Sequence, residues 1–296
     1  MERTRSNSES WRENMPLVSI GNELKRAQQG KYAIPLFDTF ESLGASGIFA
    51  AINEKKAPCI VAVYTGILDR PDIRAFVAYL RQMAEESPMP VSLMLDHGAS
   101  FEHCVKALTL GLSDVMFDGS KLPLEENIAR TRLVVQTAHA VGASCEAELG
   151  HVGQGTDYLN FGAQRKGFTN PDEVERFVAE TGVDALAVAI GTAHGVYRGE
   201  PHLELELLAE IRRRVDVPLV MHGGSGLSDE QFRSAIAGGI SKINVFTDLA
   251  MTSVAYLAEA TKAKDASFHQ VTARIADAFK ERSCYYLDLF GASGKG

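Results

Sequence analysis

Cysteine is scarce in this sequence, and the few cysteines lie far apart. The chain of 296 residues contains four, and no two of them form a CxxC pair. This spacing excludes the dense disulfide framework of a small secreted protein. We interpret the cysteines as small core side chains of a protein from a reducing cytoplasm, and we assign none of them as a nucleophile. They are Cys59, Cys104, Cys145 and Cys284.

An excess of basic charge and long apolar runs are also missing. Lysine and arginine number 30 against 38 aspartates and glutamates, which gives a net charge of −8 at pH 7. Such a chain has no basic field that would collect nucleic-acid phosphates or an anionic membrane, so any phosphate must be bound by local contacts. No run approaches about 18 uncharged apolar residues, and the polar start of the chain contains no apolar signal core. We therefore expect a cytoplasmic protein whose partners include neither nucleic acid nor a membrane.

The sequence does contain a regular alternation of two patterns. Short runs rich in β-branched residues predict strands, and they recur about every 30 residues, which is the size of one βα unit. Runs such as LAVAI and PLVM are apolar on both faces, as in parallel strands that are covered on both sides. The eight predicted strands are Ala33–Phe37, Cys59–Tyr64, Val91–Leu95, Asp114–Phe117, Ser144–Leu149, Ala185–Ile190, Pro218–Met221 and Lys242–Phe246.

Eight parallel strands in this order predict a (β/α)8 TIM barrel. No linker rich in proline, glycine or serine divides the chain, so we predict one domain over residues 15–296 after a flexible N-terminal segment, residues 1–14. A doubly wound fold would need a glycine-rich fingerprint after its first strand, and FDTFESLG contains none. An extra N-terminal helix near Leu17–Gln28 and a C-terminal helix near Val271–Arg282 flank the barrel. Between the strands, helices are predicted at Pro71–Glu86, Glu125–Val141, Pro171–Thr181, Leu203–Val215 and Ser228–Ala237.

Three of the eight histidines fall where strands of the predicted barrel end. His97 follows strand three in LMLDHG, His194 follows strand six in AIGTAHG, and His222 ends strand seven in LVMHGGSG. Because barrel active sites are built at the C-terminal ends of the strands, we expect these imidazoles to meet. Three neutral imidazoles with an open fourth position are typical of a catalytic zinc site. The other histidines lack this placement, although His151 lies near the same rim; they are His103, His139, His151, His202 and His269.

Glycine-rich turns beside these histidines predict a phosphate site. The run GGSG, residues 223–226, follows strand seven, and NVFTD, residues 244–248, opens a helix after strand eight. Glycines let backbone N–H groups approach a ligand, and a helix start supplies unpaired donors. TIM barrels commonly bind phosphate after strands seven and eight.

Carboxylates lie at the ends of neighbouring strands. Asp96 adjoins a predicted metal ligand, where a proton donor could reach an oxygen of a substrate held at the metal. Asp118 and Glu148 end strands four and five, and for each the sequence leaves open a functional or a purely structural role. For the pair Glu146 and Glu148, the alternative is that one side chain points outward.

Five ordered motifs resemble those of the class II, zinc-dependent ketose-bisphosphate aldolases, especially the branch that contains tagatose-bisphosphate aldolases. These motifs are LDHG, EAELGHVG, AVAIGTAHG, VPLVMHGGSG and KINVFTDL, and the resemblance spans residues 17–289. It implies a (β/α)8 barrel that reversibly cleaves a phosphorylated ketose, either a ketose 1,6-bisphosphate or a ketose 1-phosphate, into dihydroxyacetone phosphate and an aldehyde. It also implies one catalytic Zn²⁺ ion per subunit, allows an additional monovalent cation, and suggests a homodimer or homotetramer.

The resemblance also implies roles for single residues. His97, His194 and His222 match the zinc ligands, and Asp96 matches the acid that protonates the aldehyde oxygen during condensation. Glu148 and Asp118 match acidic positions near the metal. The stretches that bind dihydroxyacetone phosphate correspond to Gly195, Gly223, Gly224, Ser225, Asn244, Val245, Phe246 and Thr247.

Three positions depart from the family pattern. Where many members carry a proton-abstracting glutamate after EAELG, this chain has Gly155 and Thr156, so Asp157, Tyr158 or a shifted residue would have to replace it. Strand one ends in Asp38 where the family often has asparagine, and Phe246 stands where a polar or small residue is common. Both changes favour a ketose 1-phosphate with a different aldehyde end.

Two other functions stay open at this point. The loop without its glutamate is compatible with a non-catalytic barrel that binds sugar phosphates. A zinc-dependent hydrolase would use the same histidines to activate water, but it would leave the phosphate site unexplained. An imine-forming aldolase is excluded because Lys31 and Lys242 lie at the N-terminal ends of their strands and no strand ends in a lysine.

Overall fold

The strands of the chain close into a parallel barrel in a computed structural model that describes residues 17–158 and 166–296. In chain order the strands are β1 Ile34–Asp38, β2 Cys59–Tyr64, β3 Val91–Gly98, β4 Asp114–Phe117, β5 Ser144–Leu149, β6 Gly153–Gln154, β7 Ala185–Val188, β8 Ala193–His194, β9 Leu219–Met221 and β10 Ile240–Val245. Around the barrel they follow the order β1, β10, β9, β7, β5, β4, β3, β2, and all their pairings are parallel. The short strands β6 and β8 pair with each other beside the barrel.

Helices connect the barrel strands, as the right-handed βα repeat requires. Several begin at a side chain that accepts a hydrogen bond from the first turn, among them Ser100, Asn170 and Ser228. In chain order the helices are α1 Gly21–Gly30, α2 Ser42–Lys55, α3 Ile73–Glu86, α4 Phe101–Leu110, α5 Leu124–Ala140, α6 Pro171–Thr181, α7 Leu205–Arg214, α8 Asp229–Ala237, α9 Thr247–Ala260 and α10 Phe268–Leu289.

The C-terminal helix α10 packs tightly against α2. A Cβ atom at Gly47 of α2 would lie 2.3 Å from the backbone oxygen of Ala276, so only glycine allows the two backbones to approach this closely. The phenyl ring of Phe279 is buried in the same contact. This packing fixes the end of the chain on the outside of the barrel near β1.

A buried carboxylate closes the N-terminal end of the barrel. Asp114, at the start of β4, accepts hydrogen bonds from the hydroxyl groups of Ser19, Ser92 and Ser113 and from the backbone N–H groups of Ile20 and Ser144. These contacts tie the segment before α1 to the strands, and they satisfy a polar group that would otherwise be costly to bury.

The predicted (β/α)8 barrel is confirmed, and the differences lie mainly at element ends. Helices α2 and α4 occupy segments for which no helix is predicted, and α2 is capped by the Glu41 carboxylate rather than by a serine or threonine. The final helix is longer than predicted because Ser267 caps it and it continues to Leu289. The proposed N-terminal segment, residues 1–14, lies outside the described residues. Within those residues, no helix has both the length and the apolar character needed to cross a membrane.

Candidate active site

A cavity of about 450 Å³ opens at the C-terminal end of the barrel. Almost every sequence-predicted site residue lines it, and His222 lies directly beneath, with no exposed surface. The lining includes Asp38, Phe40, Tyr64, Thr65, Asp96, His97, Asp118, Lys121, His151, Gln154, His194, Gly195, Gly223, Gly224, Ser225, Asn244, Val245, Phe246 and Thr247.

The three rim histidines converge. Ring nitrogens of His97, His194 and His222 all lie within 4.8 Å of one another. His97 reaches this position through a left-handed backbone conformation, with φ of 52°, at a point where the β3–β4 register shifts. A non-glycine residue in this conformation is strained, and such strain persists where the surrounding structure holds it for a function.

Each of the three imidazoles is anchored through one nitrogen. The Nδ1 atom of His97 lies 3.0 Å from Asp118 Oδ2, and Nε2 of His222 lies 2.8 Å from Glu146 Oε1. His194 has a hydrogen bond with the backbone of Val152. Because an ionised carboxylate only accepts hydrogen bonds, it fixes the ring hydrogen on the nitrogen that faces it. The other nitrogens therefore present lone pairs towards the centre.

These inward nitrogens are poorly satisfied by the protein alone. His97 Nε2 and His222 Nδ1 face each other at 3.0 Å, and His194 Nε2 is buried without a hydrogen-bond partner. Asn244 Nδ2 also lies 3.3 Å from His222 Nδ1. Without a shared proton or cation, the lone pairs of His97 and His222 would repel at this distance, and the His194 nitrogen without a partner is costly to bury. A divalent cation between the three rings would satisfy all of them, and three imidazoles with carboxylate partners are a donor set typical of zinc. The residues present therefore fit a metal ion.

Three carboxyl groups surround the ring of His97. Burial opposes its charged form, but Asp96, Asp118 and Glu148 outweigh burial and raise the pKa of His97 to about 10. Burial and the neighbouring His97 instead lower the pKa of His194 to about 4, and burial also holds the pKa of His222 well below its usual value. The site therefore favours positive charge at its centre while keeping two of its three rings neutral, as metal ligands must be.

The carboxylates beneath the rings are buried as well. Glu146 and Glu148 both point into the barrel, so the alternative that one of them faces outward is wrong; positions two apart on a strand share a face. Burial and the nearby Asp118 raise the pKa of Glu148 to about 8. Ligand atoms of Glu148, Asp118 and His97 also lie within 4.8 Å of one another, which places Glu148 close enough to take part in metal binding.

Asp96 is held at the cavity wall by an amide. Its Oδ1 atom accepts a hydrogen bond of 2.9 Å from Asn244 Nδ2, and its Oδ2 atom lies 3.9 Å from His97 Nε2. The second oxygen is thus free to exchange a proton with a ligand beside the histidines. A proton donor or acceptor at this distance is what an acid–base step requires.

Backbone N–H groups form a cup on the side of the cavity near β9 and β10. Gly223 has φ of 69°, and a Cβ atom there would lie 2.3 Å from the backbone oxygen of Ala193, so the turn requires glycine. Helix α9 begins at Thr247 with no side-chain cap on its first turn, although the Ser225 hydroxyl accepts from the N–H of Asp248. The remaining first-turn donors and the helix dipole make this cup suitable for an anion.

The loop after β5 is fixed at its start. Residues 153–154 pair with residues 193–194, and this small sheet positions His194. The Tyr158 hydroxyl accepts a hydrogen bond of 2.7 Å from the His202 backbone. Neither Asp157 nor Tyr158 belongs to the cavity lining, so the structure does not bring either candidate base to the site. The loop positions 159–165 lie outside the part of the chain that the structure describes.

Three residues of the cavity lining and one buried lysine could not be identified as site residues from the sequence. Thr65, Lys121 and Gln154 line the cavity without any motif that marks them. Lys242 was placed at the N-terminal end of its strand, but its side chain is fully buried inside the barrel, with Nζ 2.8 Å from Glu146 Oε2. The only signal was its spacing of two from Asn244, which puts both side chains on one face of β10.

Comparisons with known proteins identify relatives of the whole chain. Residues 18–295 match the family described as class-II fructose-bisphosphate aldolase. The YdjI protein of Escherichia coli K12 is 39% identical over 264 residues, which cover 89% of this chain and 94% of YdjI. The crystal structure of the YdjI aldolase superposes with a TM-score of 0.85 at 35% identity, covering 94% of this chain and 99% of YdjI. A structure from Coccidioides immitis, provisionally assigned as a fructose-1,6-bisphosphate aldolase, gives a TM-score of 0.83 at 29% identity, covering 92% and 96%.

Proposed function

The chain belongs to the class II fructose-bisphosphate aldolase family, and from that premise we propose that it is a zinc-dependent aldolase of phosphorylated ketoses. It cleaves a ketose 1,6-bisphosphate or a ketose 1-phosphate reversibly into dihydroxyacetone phosphate and an aldehyde. The observation that supports this most strongly is the convergence of three imidazoles, each anchored on its far side, with one inward nitrogen, His194 Nε2, buried without a hydrogen-bond partner.

The metal would be held by His97, His194 and His222. When bound, a zinc ion supplies a Lewis acid that stabilises the negative charge developing on the ketose oxygens as the carbon–carbon bond breaks. Asp118 and Glu146 contribute by fixing the tautomers of two ligands, and Glu148 lies close enough to serve as a further ligand. The cost of gathering these carboxylates is offset when a cation is present.

Asp96 performs the proton transfer at the bond that breaks. In the cleavage direction it accepts the hydrogen of the hydroxyl group on the aldehyde fragment, and the electron pair of the broken bond stays on the ketose fragment. In condensation it returns that proton to the aldehyde oxygen. Asn244 keeps the carboxylate in place through its 2.9 Å hydrogen bond.

The substrate phosphate is assigned to the backbone cup. Gly195, Gly223, Gly224 and Ser225 bring N–H groups to the cavity, and Val245, Phe246 and Thr247 bring the start of α9. Neutral backbone donors hold a phosphate without the excess of basic residues that the chain lacks. The cup lies between β9 and β10, and the barrel order puts the ends of β3 and β4 across from it. The aldehyde end of the substrate therefore faces the side of the cavity that includes Lys121.

Asp38 and Phe246 shape the pocket where this chain departs from its family. Phe246 packs against Phe40, with ring centroids 4.8 Å apart, and both rings line the cavity. Burial first, and then the charge of Asp96, raise the pKa of Asp38 well above its usual value. Both residues lie at the ends of β1 and β10, beside the phosphate cup and away from the side that includes Lys121, so they shape the dihydroxyacetone phosphate end of the pocket rather than the far end of the ketose.

The cellular setting completes the proposal. We assign the enzyme to the cytoplasm, where its four cysteines stay reduced, in keeping with their free state in the structure. We also assign it a homodimeric or homotetrameric form, which sedimentation at micromolar concentration would test.

The direct test is a panel of ketose monophosphates and bisphosphates given to the zinc-loaded protein. Released dihydroxyacetone phosphate is measured with a coupled dehydrogenase, and His194→Ala serves as the matched control without a complete metal site. Because every substrate in the class shares the dihydroxyacetone phosphate half, binding of that compound is measured in parallel by calorimetry. Metal-dependent binding and turnover support the proposal. Binding with no cleavage of any ketose would favour a sugar-phosphate-binding protein instead.

A further inference from the structure

The site contains a buried ion pair that the proposed reaction does not use. Lys242 and Glu146 are 0% and 2% exposed, and Lys242 Nζ lies 2.8 Å from Glu146 Oε2. Neither residue lines the cavity, so neither touches a substrate. A buried ion pair is weak evidence for stability, because apolar residues of similar volume often serve as well. The contacts around this pair indicate a different role.

One contact leads from the pair to a candidate metal ligand. Glu146 uses its second oxygen, Oε1, to accept a hydrogen bond of 2.8 Å from His222 Nε2. The ion pair with Lys242 draws Glu146 Oε2 by charge, without a directed hydrogen bond, while Oε1 accepts from His222, so the carboxylate stays between the ammonium group and the ring. The ring hydrogen of His222 therefore stays on Nε2, and Nδ1 faces the other histidines.

The other contact leads from Lys242 to the acid–base residue. Lys242 Nζ donates a hydrogen bond of 2.8 Å to Asn244 Oδ1. The amide group of Asn244 is thereby turned so that its Nδ2 donates to Asp96 Oδ1 at 2.9 Å. In the flipped orientation, the amide oxygen would face the Asp96 carboxylate, and two acceptors would repel. The ammonium group thus selects the amide orientation on which the position of Asp96 depends.

We propose that Lys242 is a positioning residue that orients His222 through Glu146 and Asp96 through Asn244, so that one buried cation aligns the metal site with the acid–base group. The inference rests on the proposed function. Lys242 acts through other side chains, and it lies below the reacting atoms.

The test compares Lys242→Met, which removes the charge but keeps much of the side-chain length, with the double variant Lys242→Met/Glu146→Gln. The double variant leaves neither charge unpaired, so it restores neutrality without restoring the donor to Asn244. Metal affinity is measured by competition with a chromophoric chelator, the folding of the metal-free proteins by thermal unfolding, and turnover as kcat and KM. Asp114→Asn, at the opposite end of the barrel, is the control for a purely structural loss, and it should lower the unfolding temperature without changing metal affinity.

We expect Lys242→Met to lower metal affinity by roughly 10- to 100-fold, the usual effect of losing a group that orients a ligand, and to lower kcat more than it changes KM. In the double variant the unfolding temperature should recover, while metal affinity and kcat should stay low. If Lys242→Met does not fold, the double variant carries the test alone.

Two results would overturn the inference. Lys242→Met with normal metal affinity and normal kcat would show that the lysine orients nothing. A double variant with normal metal affinity and normal kcat would show that Lys242 only balances the charge of Glu146. Metal affinity is measured without substrate, so the effect of Lys242 on His222 can be judged independently of turnover. A wild-type protein that binds the metal but cleaves no ketose would refute the proposed function alone.

Discussion

His97 is the residue in which the backbone and the electrostatics of the site meet. Its left-handed backbone, with φ of 52°, turns the ring from β3 towards His194 and His222. Burial would keep this ring neutral, yet the surrounding carboxylates raise its pKa to about 10. A bound divalent cation would replace the proton and satisfy the same negative charge. The strained backbone of His97 therefore places its ring where a metal ion would balance the charge of the surrounding carboxylates.

Asp96 provides the sharpest prediction among single residues. Asp96→Ala removes the proton acceptor but leaves all three imidazoles, so the variant should keep its metal and lose at least about 100-fold in kcat. Metal content by elemental analysis and turnover of the best ketose check both halves. Turnover close to that of the wild type would remove Asp96 from the mechanism.

Asp38 provides a prediction about pH. Burial first, and then the charge of Asp96, raise the pKa of Asp38 well above its usual value. As the pH rises through this raised pKa, Asp38 ionises beside Asp96, and we expect activity to fall on the alkaline side. Asp38→Asn keeps the neutral form at every pH and should remove that fall. An alkaline limb that is identical in the variant would show that another group causes it.

Among the elements, the barrel strands set the positions of the site, and the two short strands beside the barrel support the wall formed by the loop after β5. The pairing of β6 with β8 links the loop after β5 to the segment that carries His194. Gly155 is enclosed there, since a Cβ atom would lie 2.5 Å from the backbone oxygen of Val196. One of the two residues that the family resemblance places at the position of a proton-abstracting glutamate, Gly155, is therefore built into a tight backbone contact.

Replacement of Asp157, the candidate base in the loop after β5, should not slow proton exchange. Because Asp157 is exposed and lies outside the cavity lining, Asp157→Asn should leave the exchange of the dihydroxyacetone phosphate proton with solvent unchanged within about twofold, well below the effect of losing a true general base. Proton NMR in deuterated water measures this exchange. A slowing of tenfold or more would mean that the loop closes over the substrate.

Some elements of this fold can be predicted from the sequence, and others cannot. The barrel strands were predictable because parallel strands covered on both faces form continuous apolar runs, as in Cys59–Tyr64. Helix α2 was harder to predict, since it is apolar on most sides and is capped by a glutamate. The histidines could be placed because each follows a strand. The links from Glu146 to His222 and to Lys242 could not, because they depend on the register of three strands across the barrel interior.

At the scale of the whole molecule, the two ends of the barrel have different tasks. The N-terminal end is closed by Asp114 and its hydrogen-bond donors, all supplied by the protein. The C-terminal end keeps buried polar atoms without partners, including His194 Nε2 and an oxygen each of Asp38 and Glu148. The polar contacts around Asp114 are thus complete within the protein, whereas the C-terminal end has buried polar atoms that a bound ligand can satisfy.

Removal of the metal should therefore destabilise the whole fold. A ligand at 100 times its dissociation constant stabilises the native state by about 2.7 kcal/mol. In a chain of this size, such a loss lowers the unfolding temperature by roughly 5–10 °C. Calorimetry of the zinc-loaded and chelated proteins measures the shift, and His194→Ala should show little response to zinc. Equal unfolding temperatures with and without zinc would contradict a metal site within the fold.

In the proposed enzyme, three histidines from separate strands share one catalytic zinc ion. Crystals of the zinc-loaded protein, measured on both sides of the zinc absorption edge, would locate this ion. We expect a single anomalous peak per subunit at about 2.0–2.1 Å from His97 Nε2, His194 Nε2 and His222 Nδ1. A peak elsewhere, or the absence of any peak in crystals of protein that still cleaves a ketose, would contradict it.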